Sequence, residues 1–232
     1  PVPGRPRLGV PVAGIGKVIC IGLNYREHAR ETGNPIPEQP IVFLKPTSAI
    51  NGPYDKVVNP RGATRLDWEV ELGVVIGRKG RYIDESKALG HVAGYCVCND
   101  VSERRYQMTG GGGQWTKGKA CDTFGPIGPW LVTTDEIKDP QALHVWTDVN
   151  GKRMQDNSTG DMVFNVKQLI ADVSKYMTLE PGDVIMTGTP QGVGSGMKPP
   201  QFLKPGDIVE VGIDGLGRQK TAIASGEKAG RA

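Results

Sequence analysis

The sequence predicts an α+β fold that is mainly β, with short strands, many turns and few helices. Glycine occurs 33 times and proline 18 times among 232 residues, and both are spread along the whole chain. This distribution favours short strands joined by turns over long helices. With 38% hydrophobic and 23% charged residues, the chain has the composition of a globular protein rather than a disordered one. One β-rich domain is the expected architecture.

The predicted elements follow from the spacing of apolar residues along the chain. Apolar runs typical of strands lie at residues 18–22, 41–44, 69–76, 92–98, 144–149, 183–187 and 207–213. Helical spacing is found at residues 25–32, 102–108 and 165–177, most clearly in the last. The phrases LEPGD and LKPGD, which end at Asp183 and Asp207, predict tight turns into strands. The four glycines at residues 110–113 predict an irregular loop, which could be a lid or a plain connection.

Composition excludes several classes of protein. The net charge is only +3, and no basic cluster with interleaved aromatic residues is present, so we expect no nucleic-acid partner. No apolar run approaches the roughly 18 residues that a membrane span requires, and no signal-peptide pattern opens the sequence. No membrane partner is therefore expected. The cysteines form no C-x-x-C pair, which predicts a reduced, cytoplasmic protein without a zinc site.

Three acidic residues form the strongest candidate for a functional site. Glu69 and Glu71 alternate along a predicted strand, so their side chains share one face. Because two adjacent carboxylates repel each other when buried alone, either the strand is a solvated edge or a cation lies between them. Asp100 ends another apolar strand, where it could be a helix cap or a third ligand. Three carboxylates without a nearby histidine pair match the oxygen-only preference of Mg²⁺, Mn²⁺ or Ca²⁺.

A histidine and a lysine add candidate catalytic groups. His28 and Glu31 lie three residues apart in a predicted helix, where they can form a hydrogen bond. Such a pair makes an imidazole a better base, although a surface helix with an incidental histidine has the same spacing. Lys119 lies in a turn-rich segment, where most lysines are solvated. The glycine-rich residues 186–194 lack the Gly-Lys-Ser/Thr ending of a phosphate-binding loop, which excludes nucleotide binding, but their amides could hold a carboxylate.

Six ordered motifs together resemble the fumarylacetoacetate hydrolase family over about residues 17–213. They are GLNY (22–25) with His28 and Glu31, FLKP (43–46), DWEVEL (67–72), residues 94–100, Lys119 with DTF (122–124), and TGTP (187–190). The resemblance implies mixed β-strands rolled into a distorted barrel or sandwich, in a homodimer. We accordingly expect a linker at residues 1–16, a catalytic domain at residues 17–224 and a disordered tail at residues 225–232.

The resemblance also implies a cofactor and a role for each of nine residues. The cofactor is Mg²⁺ or Mn²⁺, with Ca²⁺ as an ion that could replace them in a crystal. The implied metal ligands are Glu69, Glu71 and Asp100, the implied catalytic residues are His28, Glu31 and Lys119, and the implied substrate-binding residues are Arg104, Gln107 and Thr189.

These residues predict a hydrolase that cleaves a carbon–carbon bond of a small 2,4-diketo acid of the acylpyruvate type. The products would be pyruvate and a hydroxy acid. Among bacterial members, the nearest resemblance is to hydrolases of 2,4-diketo-3-deoxy-L-rhamnonate or L-fuconate. The alternative is a 2-hydroxyhepta-2,4-diene-1,7-dioate isomerase or an oxaloacetate decarboxylase built on the same site. A β-rich metal-binding module without catalysis would have no use for His28 and Glu31 together with Lys119.

Overall fold

The computed structural model of the chain describes residue 4 and residues 6–226. The strands in this part of the chain are β1 (Val18–Gly22), β2 (Ile41–Lys45), β3 (Ile50–Asn51), β4 (Val57–Asn59), β5 (Leu66–Asp67), β6 (Val70–Ile76), β7 (Val92–Asn99), β8 (Ser102–Glu103), β9 (Gly125–Pro126), β10 (Val132–Thr133), β11 (His144–Val149), β12 (Lys152–Ser158), β13 (Val184–Met186), β14 (Ile208–Ile213) and β15 (Gly217–Ser225). The α-helices are α1 (Arg26–Thr32), α2 (Arg104–Met108), α3 (Thr116–Lys119) and α4 (Val166–Tyr176). Single 3-10 turns lie at Thr47–Ala49, Thr159–Asp161 and Gly194–Gly196, and a longer 3-10 helix lies at Glu85–His91.

Two sheets form the body of the protein. The larger has the strand order β10-β7-β6-β13-β1-β2, in which only the pairing of β1 with β13 is parallel. The smaller has the order β12-β11-β14-β15-β4, in which only β15 and β4 run parallel. Strands β11 and β14 pack against β6. The predicted fold class, α+β and mainly β, is confirmed, and neither sheet closes into a barrel.

Strand β6 is buried on both faces because a core lies on each side of its sheet. Val70, Leu72 and Val74 point to the larger core, between the two sheets. Val75 points to a second core on the other face, together with the sulfur atoms of Cys96 and Cys98 on β7. Side chains alternate along a strand, so Glu71 shares this second face and is carried into the interior.

Most of the sequence-predicted elements are confirmed, with bounds that differ by three residues or fewer. The predicted helix at residues 102–108 is wrong at its start, because Ser102 and Glu103 form strand β8. Both predicted turns are present: the side chain of Asp183 accepts a hydrogen bond from the Glu180 amide, and that of Asp207 accepts one from the Lys204 amide. Strands β12 and β15 were not predicted, because their residues are mainly polar.

Both ends of the chain bear on the predicted domain limits. In the predicted linker, Val10, Val12 and Ile15 pack against the second core. Of the predicted tail, Ser225 ends strand β15, and residues 227–232 lie outside the described residues. None of the helices in the described part of the chain is long and apolar enough to cross a membrane.

Helix α4 covers one end of the larger core and has the best-defined start of the four helices. Its apolar side buries Val166, Leu169, Ile170 and Val173. At its N-terminus, the Asn165 side chain accepts a hydrogen bond from the Gln168 amide, and the Gln168 side chain accepts one from the Asn165 amide. This reciprocal capping box satisfies two backbone amides that the helix itself leaves free.

We predict that Asn165→Ala lowers the free energy of unfolding by about 1 kcal/mol, the usual cost of losing such a cap. Urea unfolding followed by circular dichroism measures the change. The control is Lys167→Ala, at an exposed position in the first turn of the same helix, where no cap is lost and the stability should stay within about 0.5 kcal/mol of the parent. Equal stability of Asn165→Ala and the parent protein would contradict the assigned cap.

Candidate active site

The end of the β6–β7 pair brings the three candidate carboxylates together. Val70 pairs with Asn99 and Glu71 with Cys98, and the Asp100 amide continues the ladder by donating to the Glu69 carbonyl at 2.9 Å. Residues directly opposite on paired strands point to the same face, so Asp100 joins Glu69 and Glu71. One oxygen from each carboxylate lies within 4.8 Å of the others. All three side chains are buried.

The structure excludes both structural alternatives for these carboxylates. β6 lies between β7 and β13 in the middle of its sheet, so Glu69 and Glu71 are not on a solvated edge. Asp100 is not the cap of α2, since that helix is capped by Glu103, whose side chain accepts from the Tyr106 amide. A buried cluster of carboxylates therefore requires cations close to it.

Protein side chains supply part of that positive charge. The Lys119 ammonium lies 2.7 Å from Glu69 Oε2 and 2.7 Å from Asp100 Oδ2. The other oxygen of Asp100 lies 2.6 Å from Lys45 Nζ, and the other oxygen of Glu69 lies 2.7 Å from Arg104 Nη2. Lys119 is therefore buried and paired, in contrast to the solvated lysine that its segment suggested.

These charges act differently on the two glutamates. Burial raises the pKa of Glu69, but Lys119 and Arg104 outweigh that effect and hold this pKa at about 2. Burial raises the pKa of Glu71 well above its usual value, and the Asp100 and Glu69 carboxylates raise it further. Burial lowers the pKa of Lys119, yet Asp100 and Glu69 outweigh it and leave that pKa above its ordinary value.

Among the three carboxylates, Glu71 is the one without a cationic side-chain partner in the part of the chain that the structure describes. Its Oε2 accepts a hydrogen bond from the Gly188 amide at 2.8 Å, and it pairs with no cationic side chain in the described residues. A divalent cation between Glu71, Glu69 and Asp100 would supply the missing charge, and these oxygen donors are the ligands that Mg²⁺ and Mn²⁺ prefer. The three carboxylates could hold such an ion.

His28 and Glu31 lie on α1, with His28 lining the same cavity as the carboxylates. His28 Nδ1 is 3.3 Å from Glu31 Oε2. The Gly192 amide donates to both oxygens of Glu31, at 3.0 and 3.2 Å, so the carboxylate is fixed from behind. At Gly196 an added Cβ would lie 2.4 Å from the Glu31 carboxyl carbon, so the loop must pass close to this carboxylate. The Glu31 carboxylate, which the Gly192 amide holds in place, therefore orients the His28 imidazole.

Arg104 and Gln107 extend from α2 toward the carboxylates. Arg104 Nε donates to Asp67 Oδ2 at 2.8 Å, and Arg104 Nη1 donates to Gln107 Oε1 at 3.0 Å. Asp67 also accepts from the amides of Gly194 and Ser195, so it joins α2 to the loop that holds Glu31. The role of Asp67 was not predicted, although its place beside the Glu69–Glu71 pair in the DWEVEL motif was a signal.

Thr189 is held by an interior glutamine. Gln155 Nε2 donates to the Thr189 hydroxyl at 2.8 Å and to the Pro190 carbonyl at 2.9 Å, while its oxygen accepts from the Val70 amide. The hydroxyl of Thr189 keeps its own hydrogen for a ligand. Gln155 was not predicted, because it lies in the unpredicted strand β12.

A single cavity of about 490 Å³ unites these groups. It is lined by all of the predicted site residues except Glu31, which lies behind His28: the lining includes His28, Glu69, Glu71, Asp100, Arg104, Gln107, Lys119 and Thr189. Phe43, Trp115 and Phe202 form apolar parts of its wall. The cavity therefore combines a carboxylate cluster that could bind a metal, an imidazole and several hydrogen-bond donors, and it has the size to hold a small ligand.

Comparison with known proteins identifies the family of the chain. The family model for the C-terminal domain of fumarylacetoacetate hydrolase matches residues 17–224. A putative hydrolase of Burkholderia cenocepacia strain J2315 is 60% identical over 219 residues, which are 94% of this chain and 77% of the relative.

Solved structures show the same fold. Fumarylacetoacetate hydrolase from the psychrophile Exiguobacterium antarcticum is 40% identical, with a TM-score of 0.88 over 97% of this chain and 80% of that one. A probable 2-hydroxyhepta-2,4-diene-1,7-dioate isomerase from Mycobacterium abscessus is 37% identical, with a TM-score of 0.86 over 94% of this chain and 79% of that one. The chain is therefore an enzyme that belongs to the fumarylacetoacetate hydrolase family.

Proposed function

We propose that this enzyme hydrolyses the C3–C4 bond of a small 2,4-diketo acid, yielding pyruvate and a second carboxylic acid. One observation carries the proposal: a single cavity is lined by the three buried carboxylates, by His28 with Glu31 behind it, and by Lys119. Metal ligands, a base and an oxyanion donor are the three parts that such a hydrolysis needs.

The metal in this proposal is Mg²⁺ or Mn²⁺, held by Glu69, Glu71 and Asp100. When bound, it would supply a Lewis acid and a positive charge for the carboxylate and 2-oxygen of the substrate. The hydroxyl of Thr189, which faces the same cavity, provides a further donor for that end of the substrate.

His28 takes the role of general base. Its Nδ1 donates to Glu31, so Nε2 carries the free lone pair and can accept a proton from water. The hydroxide that results adds to C4 of the substrate. Glu31 stabilises the imidazolium that forms, and the Gly192 amide keeps Glu31 in place during the transfer.

Lys119 and the Arg104–Gln107 pair stabilise the negative charge that develops on the C4 oxygen. Two hydrogens of the Lys119 ammonium go to Glu69 and Asp100, which leaves the third for the cavity. One such donor typically contributes roughly 3–4 kcal/mol to transition-state stabilisation. The oxyanion then collapses, the C3–C4 bond breaks, and His28 returns its proton to C3 to give pyruvate.

The His28–Glu31 pair favours hydrolysis over decarboxylation. Decarboxylation of a 2-oxo acid releases CO₂ without adding water, so it needs no base at the position of His28. Hydrolysis needs one, because water must add at C4 before the bond breaks. The polar donors of the cavity wall suit a sugar-derived 2,4-diketo-3-deoxy acid such as the L-rhamnonate or L-fuconate derivative. The active form is proposed to be a homodimer.

The first prediction concerns the metal. Glu71→Gln keeps the shape of the side chain but removes its charge, and we expect Mn²⁺ affinity to fall by more than the roughly 10–100-fold that loss of an outer-shell partner costs. Activity should fall with it. Isothermal titration calorimetry on chelator-treated protein measures the affinity. Glu180→Gln, a surface carboxylate paired with Lys79, is the control and should bind Mn²⁺ normally. Full activity after exhaustive chelation would refute metal dependence.

The second prediction concerns the base. His28→Ala should lower kcat by roughly 10²–10⁴-fold, the usual contribution of a positioned general base. The Mn²⁺ affinity of His28→Ala should remain close to that of the parent, since His28 is not a proposed ligand. Glu31→Gln should also lower kcat, but by less, and should likewise keep its Mn²⁺ affinity. His144→Ala, which removes a half-exposed histidine on β11, is the matched control and should keep full kcat. Loss of the metal from His28→Ala would show that the role assignment is wrong.

The third prediction concerns the reaction itself. We expect a higher kcat/KM on a 2,4-diketo-3-deoxy sugar acid than on oxaloacetate, with pyruvate detected by a coupled assay. In ¹⁸O-labelled water, label should enter the carboxylate of the second product, because hydrolysis adds water at C4. Pyruvate formed without labelled acid, or an isomerised product without pyruvate, would overturn the hydrolase assignment in favour of a decarboxylase or an isomerase.

A further inference from the structure

Lys45 is a buried lysine to which the proposed chemistry assigns no part. It ends β2, next to β1 in the larger sheet, and is only 3% exposed. Phe43, two residues earlier, shares its face and lines the active-site cavity, whereas Lys45 does not reach the cavity wall. A lysine without access to solvent is costly unless its charge is paired, so its partners indicate what it does.

The ammonium group of Lys45 contacts one carboxylate and two backbone carbonyls. Nζ lies 2.6 Å from Asp100 Oδ1 in an ion pair. It also donates to the carbonyl of Val101 at 3.1 Å and to the carbonyl of Lys119 at 2.5 Å. Two of the three ammonium hydrogens therefore go to backbone carbonyls, and the contact with Asp100 is an ion pair at close range rather than a hydrogen bond. Because Lys45 does not line the cavity, it is not placed to contact a substrate there.

Two of the three acceptors belong to residues with proposed roles in the site. Asp100 is a proposed metal ligand, and Lys45 holds the oxygen that does not face Lys119. Lys119 ends α3, a helix of only four residues whose N-cap makes no side-chain hydrogen bond. The bond from Lys45 to the Lys119 carbonyl thus fixes the backbone from which the Lys119 side chain reaches Glu69 and Asp100.

We propose that Lys45 is a positioning residue, which orients the Asp100 carboxylate for the metal and the Lys119 backbone for catalysis without touching the substrate. The part of this proposal that concerns metal binding needs only the acidic triad of Glu69, Glu71 and Asp100. The part that concerns catalysis through Lys119 rests on the proposed function. The competing explanation is that Lys45 contributes only its positive charge. The two explanations predict opposite changes in metal affinity.

The direction in which metal affinity should change follows from electrostatics. If Lys45 acted only through its charge, its removal would leave the triad more negative and a divalent cation would bind more tightly. If Lys45 orients Asp100, its removal frees that carboxylate to turn, and the ion binds more weakly despite the gain in negative charge. Titration of Mn²⁺ into Lys45→Met, which keeps most of the side-chain volume, distinguishes the two.

We expect Mn²⁺ to bind Lys45→Met about 10–100-fold more weakly than the parent, the cost typical of losing a group that orients a ligand. Circular dichroism of the metal-free variant establishes that it is folded. The control is Lys220→Met, which removes an exposed lysine paired with Glu210 on β14 and should leave Mn²⁺ affinity unchanged. Unchanged or tighter binding by folded Lys45→Met would overturn the proposal.

Lys45→Arg provides a second test, which does not depend on whether Lys45→Met folds. It keeps the positive charge but places a planar guanidinium where a compact ammonium contacts one carboxylate and two carbonyls. A positioning role predicts weaker Mn²⁺ binding and a lower kcat for this variant too. If Lys45→Arg had the Mn²⁺ affinity and the kcat of the parent, the positive charge alone would suffice, and the proposal would be overturned.

A double-mutant cycle tests whether Lys45 acts on the reaction through Lys119. At saturating Mn²⁺, Lys45→Met or Lys45→Arg should lower kcat at least tenfold in the parent protein, but should have little further effect in a Lys119→Met background. Additive losses would refute action through Lys119. If no 2,4-diketo acid is hydrolysed at all, the proposed function fails, and the Mn²⁺ titrations still decide the metal part.

Discussion

Burial of carboxylates at one end of the β6–β7 pair is the constraint around which the site is built. The sheet is covered by an apolar core on each face, so the alternation that places Val70 and Leu72 in one core carries Glu71 into the other. An unpaired charge in such a place is far more costly than the gain from any single apolar contact. Each neighbouring element consequently brings a cation or a donor to this point.

The compensating groups also explain how distant segments of the chain are held together. Lys45 brings the end of β2, Lys119 brings α3 and Arg104 brings α2 against the same carboxylates. Asp67 completes the arrangement, because it binds Arg104 on one side and the amides of Gly194 and Ser195 on the other. The loop that orients Glu31 is therefore tied to α2, which carries Arg104 and Gln107. This link fixes the His28–Glu31 pair relative to the carboxylate cluster.

The sequence predicted those parts of the fold and site that depend on local patterns. Strand alternation placed Glu69 and Glu71 on one face, and helical spacing placed His28 beside Glu31; both arrangements are present. What the sequence could not predict depends on tertiary contacts. Polar β12 and β15 become strands only because their neighbours pair with them, and Lys45 and Gln155 become interior residues only because the fold brings acceptors to them. Lys119 shows the same limit, since its segment predicted a solvated side chain and the structure buries it between two carboxylates.

The charge balance of the buried cluster bears on the kind of ligand that the cavity accepts. Four buried carboxylates (Asp67, Glu69, Glu71 and Asp100) face three buried cations (Lys45, Arg104 and Lys119). Because the pKa of Glu71 is raised, the metal-free cluster is neutral when Glu71 holds a proton and carries one negative charge when it does not. In neither state does the cluster attract an anionic substrate. One divalent cation bound to the ionised carboxylates would give the cluster a net positive charge and make it complementary to the carboxylate of a 2-oxo acid. Binding of the acid and of the metal should therefore be coupled.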